Sequence, residues 1–579
     1  MVYMFGKKSI SIFATTLVTI SLSISDASAA SGDLDLTFGT NGKVTTYFSG
    51  DDSGASIVLQ SNGNIVVAGN MYNGNNYDFA VTRYNSDGSL DTSFSLDGKV
   101  TTDFGGDDYG TSVAIQSDGK IVVTGYGSSG GNDDFAIARY NTDGSLDTSF
   151  DTDGKLLIDF GRYENGKALA IQTDGKIVLA GTSVALGGLA ANMHLLRLNT
   201  NGSLDSTFDS DGKVTTDIGP NDDALSIAIQ NDGKLIIGGG SDASGNLETT
   251  LIRYNSNGSL DTTFNSDGIA TIDFAISNDA AYSVAIQSDG KIIAAGYADL
   301  GGQVVFALLR LNSNGSLDTT FDTDGKITTA FGSFYDGAYS VVIQSDGKII
   351  ASGNSNNGSQ ALFATARYNT NGTLDTTFDT DGKITTAFGS FDDGANAIAI
   401  QNDGKIVVAG YSDSGSGYVF ALARYIGSES ALPDAPVINS ITAGDRKLSL
   451  SFTAGASNGS AITDYEYSLN GSAYISAGTA TSPLSISNLS GRTSYSVVIK
   501  ARNSAGLSTA SNLFSAKTFD SLLDASEARD RELALMSEYQ GKVALQLSDK
   551  LGVLFSELKF VLSQLSALLQ TLYLIVLKI

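Results

Sequence analysis

The side chains able to do chemistry in this sequence are mostly carboxylates. It holds 62 Asp and Glu against 35 Lys and Arg, with one His and no Cys. The missing thiols exclude cysteine nucleophiles, disulfides and thiolate metal centres. A single His194 excludes multi-histidine metal sites, and a Ser–His triad would have to use it. His194 stands among apolar neighbours in ANMHLLRL and is expected to pack at the start of a strand. One set of acids recurs in a loop: Asp51 and Asp52, Asp107 and Asp108, Glu164, Asp222 and Asp223, Asp279, Asp336, Asp392 and Asp393. Acids gathered around one axis could meet a ligand or hold a cation, which prefers oxygen ligands. The candidate ligand-binding residues are Asp51, Asp52, Asp107, Asp108, Asp222, Asp223, Asp392 and Asp393. Paired carboxylates also serve glycoside hydrolysis, but nothing singles out a pair, so no catalytic residue is assigned. No cofactor is called for, and calcium is the one ion the acids could take. The other acids lie in Asp-Gly strings. NTDGSLD at Asn141–Asp147 resembles part of a calcium loop, but Arg139 falls on the first ligand position. The central Asp is Asn at Asn201, Asn257, Asn314 and Asn371, and turn chemistry explains both residue types.

The elements that must position these acids are short strands. Ser112–Gly161 shows the unit: SVAIQ, an SDG turn, KIVVTGY, a Gly-rich loop, DFAIARY, then NTDGSLDTSF and a DG turn into KLLIDF. Each run is short, β-branched or aromatic, and bounded by turn residues. Asp-Gly and Asn-Gly supply the positive φ of tight turns. The third strand carries Arg83, Arg139, Arg197, Arg253, Arg310, Arg367 and Arg424, at spacings of 56, 58, 56, 57, 57 and 57. Four antiparallel strands per unit at this period predict an all-β, seven-bladed β-propeller over residues 31–427. The segment LDxxFxxxG, marked by Asp35, Asp91, Asp147, Asp205, Asp261, Asp318 and Asp375, precedes the first full hairpin and is missing after the last. The ring is therefore expected to shut by pairing Lys43–Phe48 with the strand ending at Tyr425. Six of the arginines precede an Asp by eight residues, and only closure gives Arg424 one, Asp35. Seven structural Arg–Asp pairs are expected. The variable loops between strands two and three, Ser183–Met193 among them, should share a ring face with the acidic loops, where binding usually sits.

Residues 1–30 read as a secretory signal, with Lys7 and Lys8, an apolar run and Ala27-Ser28-Ala29. The net charge of −27 disfavours nucleic acid, which needs basic patches. Gly 66 against Pro 4 fits many hairpins. After a linker at 428–434, a second pattern fills residues 435–518. Alternating strands KLSLSFTA and DYEYSLNG lead to NLSGRTSYSVVIKARNSAG, with Tyr495 at a tyrosine-corner position. Residues 519–579 form a helical segment in which Leu551, Leu558, Leu565, Leu572 and Ile579 recur every seven residues. Such a stripe predicts self-association, docking or membrane contact through 551–579.

The recurring GSLDTTFDTDGKxTT…SxAIQSDGKIxxxG…FAxARYN resembles the bacterial delta-60 repeat family, which implies a β-propeller and carries no common activity. The Leu489–Gly506 run resembles the fibronectin type III module, with Phe452 where that family usually has Trp. This implies a sandwich spacer or binding module. The expected protein is secreted or held at a bacterial surface, and binds an extracellular glycan or protein without catalysis. The alternative is an extracellular hydrolase with acids at the channel mouth.

Overall fold

The computed structural model describes residues 30–128, 131–185, 190–274, 277–332, 334–427, 432–457, 462–503, 506–519 and 548–576. The segment read as a secretory signal, most of the expected linker and the first part of the C-terminal segment lie outside them. The chain divides into two compact units, residues 1–430 and 431–579.

In the first unit the repeats fold as seven four-stranded antiparallel sheets. Within each sheet the strands run in chain order, as in Tyr109–Ile115, Ile121–Gly127, Asp134–Tyr140 and Lys155–Ile158. The seventh sheet is assembled from both extremities. Lys43–Thr46 pairs with Tyr418–Tyr425, registering Val44 on Leu422, and Ile406–Asp413 and Asp393–Ile400 complete it. The pairing is two residues shorter than Lys43–Phe48, because Phe48 already donates its N–H to the Asp52 carboxylate in the following turn. The first strand of each repeat lies innermost. Each touches the first strand of both neighbours, and the circuit closes where Asp52–Leu59 meets Asp393–Ile400. The arrangement is that of a seven-bladed propeller.

The strands are buried on both faces, so they read as near-continuous apolar runs. The second and third strands carry almost no exposed position, as in Ile121–Gly127 and Asp134–Tyr140. Between sheets, Phe79, Val81, Val123, Ala136 and Ala138 form one of several interlayer cores. Gly125 marks a close approach, since a methyl group there would collide with the Tyr109 carbonyl. Buried tyrosines tie sheet to sheet: Tyr140 meets Thr102 at 2.7 Å and Tyr425 meets Thr386 at 2.7 Å. Leu198 and Leu311 replace this tyrosine in two repeats.

The second unit has a three-stranded and a five-stranded antiparallel sheet around Ile438, Leu450, Phe452, Tyr465, Val497 and Ile499. The Tyr495 hydroxyl accepts the Ser490 N–H at 2.9 Å. A helix spans Ser548–Val576. Its apolar side chains stand open, with Leu554 70% and Leu568 70% exposed. No described helix is long and apolar enough to cross a membrane.

Candidate functional site

The seven Arg and Asp side chains lie at the ring face that carries the turns between strands one and two and between three and four. Each Arg Nε donates to its repeat's Asp at 2.7–2.9 Å. Six pairs are eight residues apart, and the seventh joins Arg424 to Asp35. Nη1 reaches a backbone carbonyl of the following repeat, such as Thr142 from Arg83 and Ser86 from Arg424. The guanidinium lies 4.4–4.7 Å from a Phe ring centroid, Phe94 for Arg83 and Phe38 for Arg424. A lysine such as Lys176 or Lys405 completes six of the seven Asp sites, and Asn64 bonds Asp91 in the remaining one. Burial works against ionised Asp147. The Ser149 hydroxyl and N–H and the Arg139 guanidinium outweigh it, and Asp147 falls to about 2. Groups repeated in every blade, bonded to their own blade and the next, hold the ring together.

The opposite face carries the acidic loops and the variable loops. Asp52, Asp108, Asp222 and Asp393 are fully buried. Each accepts a backbone N–H from the preceding strand end: Phe48, Phe104, Ile218 and Phe388 respectively, at 2.6–2.8 Å. This corrects their reading as groups open to a ligand at the surface: one oxygen of each closes a turn, and Oδ1 of Asp52, Asp108 and Asp393 lies buried without a hydrogen-bond partner. Asp51, Asp107 and Asp392 are exposed, but each accepts an N–H across a blade junction, from Tyr418, Tyr77 and Ala361. The acids therefore do not converge on one ion at the axis. Of the eight, Asp223 is the one whose charge acts on Lys167, a residue of an innermost strand around the central opening.

What lines that opening is a set of residues the sequence reading passed over. Every innermost strand skips one residue in its pairing, at Ala55, Thr111, Lys167, Leu225, Tyr282, Tyr339 and Asn396. Such a bulge re-aims a side chain and often borders a site. Here the bulged residue differs in chemistry from blade to blade, whereas the residues around it are repeated. Tyr282 packs on Tyr339 of the next blade at 4.8 Å and on Tyr297 at 5.6 Å. The Tyr339 and Tyr335 hydroxyls are 3.2 Å apart. A second row runs through Tyr72, Tyr77, Tyr109 and Tyr126 with centroids 4.9–5.2 Å apart. Lys167 lies 5.8 Å from the Tyr126 ring. Burial lowers the Lys167 pKa, and the charge of Asp223 partly offsets that. Burial pushes Tyr109 up to about 12, with Asp107 adding to it. The two tyrosine rows, with Lys167 and Asp223 between them, offer flat apolar faces and hydroxyl edges to a polar ligand.

His194 sits inside the strand Ala191–Leu198, not at its start, and is 3% exposed. The loop read as Ser183–Met193 is shorter, since Ile177–Val184 and Ala191–Leu198 extend into it. His194 Nε2 meets the Ser183 hydroxyl at 2.6 Å, and Nδ1 meets Thr215, not an acid, at 3.1 Å. Burial lowers His194 to about 4, with Arg162 and Lys213 adding to the effect. This Ser–His pair is sealed from solvent, lacks an orienting carboxylate and joins two strands.

Seven segments, 60–94, 116–150, 172–208, 230–264, 287–321, 344–378 and 401–425, match the family model described as a domain of unknown function (DUF5122) beta-propeller. The chain carries seven repeats of a β-propeller family. No curated protein matches the sequence. Among solved structures, the chain is similar to the extracellular domain of a hybrid two component system of B. thetaiotaomicron, at 13% identity and TM-score 0.36, covering 83% of this chain and 58% of that one. It is similar to PorZ, a bacterial surface component of the type-IX secretion system of Porphyromonas gingivalis, at 10% identity and TM-score 0.36, covering 80% and 59%. It is also similar to the polysaccharide lyase Uly1, at 13% identity and TM-score 0.38, covering 69% and 97%. The chain thus spans less than two thirds of the first two relatives. At these TM-scores the likeness carries no functional argument.

Proposed function

We propose that this is a secreted or surface-held bacterial interaction protein whose propeller binds an extracellular glycan at its central opening, without turnover. The observation that carries the reading is the pair of tyrosine rows that reach the innermost strands, where Tyr282 packs on Tyr339 and Tyr109 on Tyr126. Aromatic faces supply apolar area at low entropic cost while their hydroxyls meet polar groups. The bulge that aims Tyr282, Tyr339 and Lys167 gives each blade its own contact on a rigid scaffold. The hydrolase alternative draws no support from the acids, because all but Asp223 are bonded to backbone in turns or across blade junctions. The second unit, resembling a fibronectin type III module, would act as a spacer. The open leucines of Ser548–Val576 favour self-association of that helix. The test is a glycan and cell-wall binding screen of the full chain beside a Tyr282→Ala/Tyr339→Ala variant. Retention of a glycan by the parent and its loss in the variant supports the reading; binding unchanged in the variant overturns it.

A further inference from the structure

Two adjacent blade junctions bring three carboxylates together; the junction with Glu248, Asp273 and Asp279 also has three acids, but they are not grouped in this way. Asp134 opens the third strand of its blade, Asp159 ends the fourth, and Glu164 opens the next blade. One carboxylate oxygen from each lies within 4.8 Å of the other two. Asp78, Asp103 and Asp108 repeat the arrangement one junction earlier. At two other junctions the positions of Asp134 and Asp159 hold Val305 and Ala330, or Leu362 and Ala387, and only the turn acid remains.

At both clusters the turn acid also leaves a buried oxygen unbonded. Glu164 is 1% exposed; its Oε1 accepts the Arg162 N–H, and its buried Oε2 has no hydrogen-bond partner. Asp108 does the same with its Oδ1 in the second cluster, as do Asp52, Asp336 and Asp393 at junctions where no three carboxylates are grouped. Among the described residues no ion pair reaches Asp134, Asp159 or Glu164. Lys213 beside them donates to the Asp159 backbone carbonyl at 3.2 Å and to none of the three carboxylates. Three carboxylates thus share one small, partly dry space. Each raises the cost of ionising the others, and Glu164 is pushed up to about 7, first by burial and then by Asp159 and Asp134.

We propose that Asp134, Asp159 and Glu164 form a binding site for a calcium ion, and that Asp78, Asp103 and Asp108 form a second. Calcium accepts six to eight oxygens in flexible geometry, and three carboxylates with water supply them. Magnesium needs stricter octahedral geometry and keeps its water, so calcium is the better match to an all-carboxylate cluster. The exposed Asp159 gives the ion its entry, while buried Glu164 removes it from competing water. The ion would bridge two blades at the loop face, beside the tyrosine rows.

The experiment is calcium binding to the full chain, by calorimetry at physiological salt, with thermal melts in calcium and in EDTA. The parent should bind calcium and melt higher in calcium. Asp134→Asn/Glu164→Gln should bind one ion fewer, lose most of that rise, and melt no lower than the parent in EDTA, because the repulsion is gone. Asp159→Asn, a change at an exposed residue, should weaken one site about tenfold and guards against a folding failure of the double variant. Asp392→Asn/Asp393→Asn removes as much charge at a junction without the cluster and should leave the stoichiometry intact. No calcium bound by the parent, or equal stoichiometry and affinity in parent and cluster variants, overturns the proposal.

Discussion

The two faces of the ring are built on opposite rules. On one, the same Arg, Asp, Phe and Ser or Thr recur in every blade with nearly the same distances, from Arg83–Asp91 to Arg424–Asp35. On the other, a backbone irregularity recurs in every blade while the residue it presents changes from Ala55 to Lys167 to Tyr339. Repetition of chemistry marks what every blade needs, which is a neighbour. Repetition of geometry with changing chemistry marks a surface where each blade contributes something different. The difference teaches that the repeated scaffold and the varied face are separable in this protein.

The largest expected effect tests that separation on the repeated face. Arg424→Leu or Asp35→Leu takes the main partner from a buried charge, with only half-buried Lys405 left beside Asp35 in the first case, and costs about 3–5 kcal/mol. The same cost is expected for Arg253→Leu, and thermal melts should show equal losses at the closure and in mid-ring. A much smaller loss at Arg424 would mean that the terminal blade is not part of the cooperative ring. Replacing both members of the Arg424–Asp35 pair by leucine should recover much of the loss, because no lone buried charge remains and Lys405 keeps Asp403.

The next effect lies on the varied face. Tyr282→Ala and Tyr339→Ala each give up an aromatic pair worth about 0.5–1.5 kcal/mol beyond area. Glycan binding should fall while the melting temperature drops far less than in Arg424→Leu. Equal damage to stability at both faces would merge the two roles. Smaller again is Tyr425→Phe, which removes the hydroxyl bonded to Thr386 and should cost about 1 kcal/mol, as should Tyr140→Phe at its bond to Thr102.

The last effect is a pH dependence of opposite sign on the two faces. Asp147 is held down at about 2, below its ordinary 3.8, so its contribution is present above 3.8 and lost as pH falls through 2. Glu164 is pushed up from 4.5 to about 7, so the folded state holds its proton more tightly. Its contribution is present below 4.5 and lost as pH rises through 7. In EDTA, stability should decline between those values, and Glu164→Gln should flatten the decline. An unchanged slope in that variant would assign the decline to other groups.

The architecture was legible because its causes are local. Asp-Gly and Asn-Gly turns, apolar runs and the eight-residue step from Arg to Asp all lie within one repeat, and the phase of the repeat already paired Arg424 with Asp35. The acids were misread for the same reason. Sequence places Asp51 and Asp52 side by side, yet one is exposed and the other fully buried, since neighbours along a strand edge face opposite ways. His194, read as sitting at a strand's start, lies within it because the third blade's hairpin extends further than its altered loop suggested.

The sequence by itself determined the strands, the turns, the sevenfold count and the residues common to all blades, because each follows from short-range backbone preference repeated at a fixed period. Only the tertiary structure decided which residues face the axis and which acids meet. A bulge is a mismatch between two paired strands, and the grouping of Asp134, Asp159 and Glu164 needs three strand ends from two blades to arrive at one place.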